Sequence, residues 1–407
     1  MQPRTASLLS LLALTLSLLA TACQEDRESP TGPAALDASA TAALTFSGMT
    51  AGTDFSCGVA TDGRGFCWGR ADDGQLGNGT TIPGTTGQLT PTVVVGGLRF
   101  RQLATGHTTA CGVTTDNRAY CWGRNDRGQI GDGTTALRLT PVAVVGGHKF
   151  SQVEITFEHT CGLSYPDNKA YCWGWNGDGQ LGIGNNTGPL TGDFGPYSPT
   201  PVAVHGGLTF SRITTGDFHS CGLTTGNKIY CWGLNQYGEI GDGTTTFRRP
   251  SPRLVTGGLV FNWVNAGSLH TCGITTAHKA YCWGFGLYGQ RGDGSVTQAV
   301  RTPRAVLGGH LFTKVNAGVA HTCGVTTSNQ AWCWGRNESG QLGDGTTTQR
   351  LTPHLVAGGH PFNQVNAGSG HTCARTTAAA GYCWGQNLNG QLGNGTTTRS
   401  LTPVPVN

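Results

Sequence analysis

From Leu44 onward, short stretches of alternating apolar and polar residues recur along the chain. One unit can be spelled from "TPVAVVGG" (140–147), "LVFNWVNAG" (259–267), "HTCGITT" (270–276) and "AYCWG" (280–284). Alternation with period two over five to eight positions is the mark of a half-buried strand, and the Gly, Asn and Thr clusters between the stretches are turn formers. Each unit therefore predicts four short antiparallel strands, followed by a loop of the type "GQLGDGTTT". Four antiparallel strands repeating about every fifty residues are one blade of a β-propeller.

The cysteines count the blades. Fourteen fall into seven pairs: Cys57 and Cys67, Cys111 and Cys121, Cys161 and Cys172, Cys221 and Cys231, Cys272 and Cys282, Cys323 and Cys333, Cys373 and Cys383. Successive first members are 54, 50, 60, 51, 51 and 50 residues apart. The expectation is an all-β, seven-bladed propeller over residues 42–407. The first unit begins at "LTFSGMTAG" (44–52) without a preceding "TPVxV" strand, and the chain ends in "LTPVPVN" (401–407). Closure by pairing of the C-terminal strand with the first blade is therefore predicted.

With a turn near residues 276–278, Cys272 and Cys282 face each other across an antiparallel pair. A non-hydrogen-bonded pair brings Cα atoms to about 4.5 Å, within reach of a disulfide. Each such loop is worth roughly 2–3 kcal/mol by chain entropy. The 161/172 pair holds one more residue, which Pro166 and Asp167 accommodate. Seven disulfides are expected, with free thiols and a metal site using His270 as the alternatives. Zinc sites favour C-x2–4-C spacing, which these pairs lack.

Charged residues are only 12% of the chain, Gly reaches 66 of 407, and the net charge is +4. No run of Lys or Arg exceeds two, which argues against nucleic-acid binding. Arg4 precedes the apolar run "LLSLLALTLSLLA" (8–20), and "TAC" ends at Cys23. The run has the length of a signal-peptide core and is short for a bilayer span. Small residues before a Cys resemble the lipobox of bacterial lipoproteins, with Ala20 where that motif carries Leu. The expectation is a signal peptide at 1–22, lipidation of Cys23 and a flexible tether over 23–41. Gln24 follows the Cys. That places the chain at the outer membrane or cell surface, touching membrane only through its anchor, as a monomer. An ordinary secretory peptide cut near Ala22 is the alternative.

The repeats resemble the regulator-of-chromosome-condensation family. "AGSLHTCGI" (266–274), "AGVAHTCGV" (317–325), "NDRGQIGDG" (125–133), "NESGQLGDG" (337–345) and "NLNGQLGNG" (387–395) carry the resemblance. It implies the propeller and leaves function open, because the fold hosts unrelated activities. Family members include a nuclear nucleotide-exchange factor, plant ultraviolet photoreceptors and a secreted inhibitor of β-lactamases. The photoreceptors place Trp clusters beside the family His, where this chain has Ser268-Leu269, Val319-Ala320 and Ser369-Gly370.

Residues shared by all units build the ring. The Trp of "CWG" recurs at 68, 122, 173, 232, 283, 334 and 384 and is assigned to blade packing. His159, His219, His270, His321 and His371 precede a Cys by two places, with Phe55 and Thr109 in the other two units. Each imidazole is expected to bond backbone between blades. Asp132, Asp242, Asp293 and Asp344 of the "GDG" turns suit tight turns better than calcium. No catalytic motif, cofactor site or metal site is found.

Residues that differ between units are free to specify a partner. After "CWG", units one, two and six carry Arg70, Arg124 and Arg336, while units three to five carry Trp175, Leu234 and Phe285. Tyr237 and Tyr288 follow, and an insertion in the third unit (184–199) brings Phe194 and Tyr197. Aromatic and Arg enrichment is the composition of interface hot spots. These seven apolar and aromatic residues are the candidate binding surface of a non-catalytic protein-interaction scaffold whose partner is an unknown protein. A carbohydrate-binding or enzymatic propeller is the second reading. A nucleotide-exchange regulator is the third, by analogy alone.

Overall fold

The computed structural model describes residues 44–407, except 83, 85, 86, 193 and 194. The signal peptide, Cys23 and the tether of the sequence reading lie outside the described residues, as does Phe194. Among the described residues there are 29 strands and no helix. They form seven antiparallel sheets, each built from consecutive strands. In the first blade these are Phe46–Ala51, Phe55–Ala60, Gly65–Gly69 and Gln88–Val93. The innermost strands of the other six are Phe100–Thr105, Phe150–Ile155, Phe210–Thr215, Phe261–Ala266, Phe312–Ala317 and Phe362–Ala367.

Each blade is therefore phased one strand later than the sequence template. The "TPVxV" stretch follows "CWG" as the outermost strand of its own blade. The C-terminal strand Ser400–Pro405 accordingly pairs with Gly381–Gly385 of the seventh blade, not with a first-blade strand. Closure by the C-terminal segment is through packing: Val404 and Val406 join Phe46, Met49 and Trp68 of the first blade in one apolar cluster. A tandem repeat fixes the period of a unit but not where the unit starts, so the pairing partner was not in the pattern.

The core lies between blades. Every cluster combines the second and third strands of one blade with the inner-strand Phe and the "CWG" Trp of the next, as Cys221, Leu223 and Cys231 do with Phe261 and Trp283. All seven of these Trp side chains are fully buried. Each indole Nε1–H donates across the seam to the loop of the preceding blade, as from Trp122 to Gln75 C=O at 2.9 Å and from Trp68 to Gln391 C=O at 3.0 Å. The glycines serve this packing. A Cβ at Gly112 would lie 2.6 Å from the Phe100 ring, and one at Gly77, where φ is +64°, would lie 2.6 Å from Trp122 Nε1.

All seven cysteine pairs are disulfides joining the second and third strands within a blade, with Cα–Cα distances of 4.0–4.1 Å. The third-unit insertion is not a plain loop. It folds as a hairpin, Leu190–Gly192 against Gly195–Ala203, and adds a fifth strand to the third blade.

The histidines do bridge blades, but to hydroxyls. His159, His219, His270, His321 and His371 place Nε2 2.8 Å from Ser220, Thr271, Thr322, Thr372 and Ser56 of the next blade. Each hydroxyl in turn donates to a loop carbonyl, as Thr271 does to Glu239 at 2.9 Å and Ser56 to Gln391 at 2.9 Å. A hydroxyl has one proton, so it must accept from the imidazole Nε2–H. The five Nδ1 atoms are buried without a partner among the described residues, as bare acceptors. Burial, which disfavours the charged form, pulls all five imidazoles down to about 3.

Candidate functional site

One end of the ring carries both the turns that follow the inner strands and the corners that follow "CWG". The two are stitched together. The corner amides of Arg70, Arg124, Trp175, Leu234, Phe285 and Arg336 donate to the carbonyls of Asp54, Thr108, Glu158, Phe218, Leu269 and Ala320. Corner side chains on this face are thus presented from a fixed backbone, which suits recognition.

Two aromatic arrays occupy the middle blades of this face. In the first, His107 contacts Phe157 (ring centroids 5.2 Å), Phe157 contacts Phe218 (5.7 Å), and Trp175 meets Phe218 edge-on (6.3 Å). Tyr197, on the inserted hairpin, pairs with Trp175 in the sheet register. In the second, Phe285 lies 4.9 Å from Tyr237 and 6.3 Å from Tyr288, and Arg336 stands over the Tyr288 ring at 5.5 Å. Tyr288 and Leu287 are exposed, while Trp175, Tyr197, Tyr237 and Phe285 are half-buried. Leu234 departs from its expected role: at 7% exposure it is a core residue, its strand covered by the outer strand of its blade. It replaces Arg in the repeat, but it faces inward and offers a partner nothing.

The flanking blades supply charge in neutralised form. Arg70 pairs with Asp72 at 2.6 Å, Arg124 with Asp126 at 2.7 Å, Arg127 with Glu158 at 3.1 Å, and Arg336 with Glu338. The face is consequently an aromatic sector bordered by ion pairs, not a basic patch.

At its centre the axial channel opens. Ala51, Thr53, His107, Phe157, Asp217, Ser268, Val319 and Ser369 line a mouth of about 220 Å³. Burial raises the Asp217 carboxyl, against the opposing effects of a hydrogen bond from Ser268 and the nearby His107. His107 and Asp217 carried no signal in the repeat alignment because each occupies a turn position that varies freely. A ring of backbone bonds ties this mouth: Thr53 to Gly106, His107 to Thr156, Ser268 to Gly318, Val319 to Gly368 and Ser369 to Gly52. Thr156 reaches Gly216 C=O through its hydroxyl.

Deeper in the channel, the third residue of six of the seven inner strands spans to the neighbouring blade, Gly48 of the first blade being the exception. Gln102, Gln152 and Gln364 each bond both the N–H and the C=O of one residue there, Val153, Ile213 and Met49. Arg212, Trp263 and Lys314 reach Val264, Val315 and Asn363 carbonyls. This ring was missed in the sequence. Its signal was present: position three of "FxxV" is polar or amphipathic in six units although it sits inside a strand.

The "GDG" aspartates are engaged by protein groups. Asp132, Asp242 and Asp344 accept from Thr134, Thr244 and Thr346 and pair with Arg138, Arg249 and Arg350. Among the described residues no group of three or more His, Cys, Asp or Glu could hold a metal ion.

Comparison with known proteins fits this geometry. A model of the regulator of chromosome condensation (RCC1) repeat matches residues 62–113, 116–163, 167–223, 227–274, 328–375 and 382–407. A second model of the same repeat matches 100–129, 150–180, 210–239, 264–290 and 312–341. The chain is 31% identical to the ultraviolet-B receptor UVR8 of Arabidopsis thaliana over 330 residues, 80% of this chain and 72% of the receptor. The fold is shared with human WBSCR16, at a TM-score of 0.75 and 19% identity, covering 84% of this chain and 94% of that one. It is also shared with Prp20p of Saccharomyces cerevisiae, at a TM-score of 0.70 and 20% identity, covering 89% and 87%. With the repeat matched along most of its length and carried on seven blades, the chain belongs to the regulator of chromosome condensation repeat family.

Proposed function

We propose that this chain is a non-catalytic protein-binding propeller that works outside the cytoplasm and engages its partner through the aromatic face of blades three to five. The observation that carries the proposal is the pair of aromatic arrays held on stitched corners, with Arg336 over Tyr288 at their edge. Rigid aromatic rings bury large areas with little loss of side-chain freedom, which is why they dominate interface hot spots. Trp175 adds a buried indole Nε1–H without a partner among the described residues.

Relatives of the fold support protein binding as the mode. Prp20p is described with binding properties toward Gsp1p and histones, and a second structure has Kap60 bound to it. Seven disulfides belong to an oxidising compartment. Within that setting we place the chain on a bacterial envelope, with residues 1–22 as signal peptide, Cys23 acylated and 23–41 as tether. This placement rests on the lipobox-like "TAC" after its apolar run, and the relatives named above are from plant, human and yeast. Intact mass of the native protein tests it, since an unmodified N-terminus at Gln24 or earlier would refute acylation.

The binding test is affinity capture from envelope extract, followed by titration of the recovered partner against Trp175→Ala, Tyr237→Ala and Tyr288→Ala. Each truncation should weaken binding about tenfold or more if the sector is the hot spot. Unchanged affinity in all three would move the interface elsewhere.

A further inference from the structure

The axial channel holds opposite charges that do not meet. A cavity of about 420 Å³ is lined by Glu154, Arg212 and Lys314 together with the amide ring, a volume within the usual range of small-molecule sites (about 300–1,000 Å³). Arg212 uses Nε for Val264 C=O and lays its guanidinium 3.6 Å over the Trp263 ring. Its two terminal nitrogens make no hydrogen bond among the described residues. Glu154 Oε1 accepts from Gln152 at 2.8 Å and from Gln102 at 3.2 Å, whereas Oε2 accepts from none. Lys314 Nζ makes one bond, to Asn363 C=O at 3.2 Å. Among the described residues, none of the three charges forms an ion pair within 4.0 Å.

Each side chain is fixed by its seam-spanning bond, so the charges cannot collapse onto one another. Burial penalises all three: it raises the Glu154 carboxyl and lowers Arg212 and Lys314. All three line the channel, and a molecule bound between them can meet both signs of charge at once. A simple anion would satisfy the cations and oppose Glu154. A simple amine would do the reverse. A molecule with adjacent ammonium and carboxylate groups satisfies both ends.

We propose that the channel is a binding site for a free α-amino acid, its carboxylate received by the Arg212 terminal nitrogens and Lys314 Nζ and its ammonium by Glu154 Oε2. The site lies inside the ring, apart from the aromatic face, and is independent of the protein-binding role.

The test is calorimetric titration of the purified, oxidised protein with the common L-amino acids one by one. Propanoate and ethylamine serve as single-charge analogues of alanine. At least one amino acid should bind with one-to-one stoichiometry and raise the melting temperature, while neither analogue does so at about 10 mM. Glu154→Gln keeps both amide bonds possible and should weaken binding about tenfold or more by removing the charged acceptor. Lys314→Met should weaken it from the carboxylate end, and it carries the test if the first variant fails to fold. Three results would overturn the site: no amino acid bound at about 10 mM, propanoate bound as tightly as any amino acid, or wild-type affinity in both variants.

Discussion

Two seams of the ring are built from different chemistry. The seam between the seventh and first blades, where the chain's two ends meet, is wired with polar bonds. His371 reaches Ser56, Gln364 and Asn366 reach Met49 C=O, Arg375 reaches Ser47 C=O, and the Ser369 amide reaches Gly52. The seam between the first and second blades has none of the first three devices. Phe55 stands in place of the His, Ala110 in place of the hydroxyl, and Gly48 in place of the Gln. That seam is held by an apolar cluster including Phe55, Phe100, Leu103, Ala110 and Trp122. A Thr50–Thr105 hydroxyl contact at 2.9 Å assists it.

The difference does not follow from connectivity alone, since four seams joined by the chain carry the same His–hydroxyl bond. The closing seam also has an apolar cluster of Phe46, Met49 and Trp68 with Cys373 and Cys383, so its polar bonds are added to packing, whereas in the first seam packing, which is strong but undirected, carries more of the contact. The closing seam has no covalent link, and directional hydrogen bonds fix which surface meets which.

Acid should separate the two most strongly. Five buried imidazoles keep a value of about 3 in the folded ring, against about 6.5 in the unfolded chain. Below pH ~6.5 the unfolded state binds protons that the folded state refuses. Stability is therefore complete above that pH. It falls on acidification toward pH ~3, by up to about 1.4 kcal/mol per pH unit for each imidazole. Melting temperature against pH should show this fall, and His371→Gln should reduce its slope by roughly one fifth. Hydrogen exchange should find the closing seam opening in acid before the first. Simultaneous opening would remove the distinction.

Truncation comes next in size. Phe55→Ala should cost about 3–5 kcal/mol by leaving a cavity in the apolar seam. His371→Ala should cost about 1–3 kcal/mol through the lost bond to Ser56. Urea denaturation measures both, and equal losses would show that wiring and packing contribute alike.

The smallest effect sharpens the contrast by grafting one seam onto the other. A Cβ at Gly48 has only Gln364 Oε1 nearby, at 3.9 Å. Gly48→Gln can therefore copy the amide bridge of Gln102 and Gln152 into the first seam. A gain of about 0.5–1.5 kcal/mol is expected, from the new hydrogen bonds and a less flexible unfolded chain. A loss would mean the amide cannot reach the second blade.

The fold was readable because its signals are local. Cysteines ten residues apart sit opposite one another on adjacent strands, and "CWG" sits beside a turn, so period and spacing were enough. The seam contacts were not, since His270 and Thr322 are 52 residues apart and only the ring brings them together. The paired loss of His and hydroxyl at Phe55 and Ala110 was the one trace of that contact in the sequence. For the candidate face, the repeats showed which corners are aromatic. They could not show that Leu234 turns inward, because a corner side chain's direction is set by the strand beside it. Glu154, Arg212 and Lys314 went unnoticed for a related reason. A charged residue in a strand normally reads as solvent-facing, and here the solvent is an axial channel.

Every relay bond runs the same way around the ring: an imidazole on one blade grips the hydroxyl on the next, never the reverse. At these five seams the leading edge of one blade is complementary to the trailing edge of the next, a head-to-tail contact that is completed when the circle closes. A ring broken at Ser56 and His371 would expose one edge of each kind on a single molecule. Two such edges are a heterologous pair, and closing the ring is what satisfies both within one molecule.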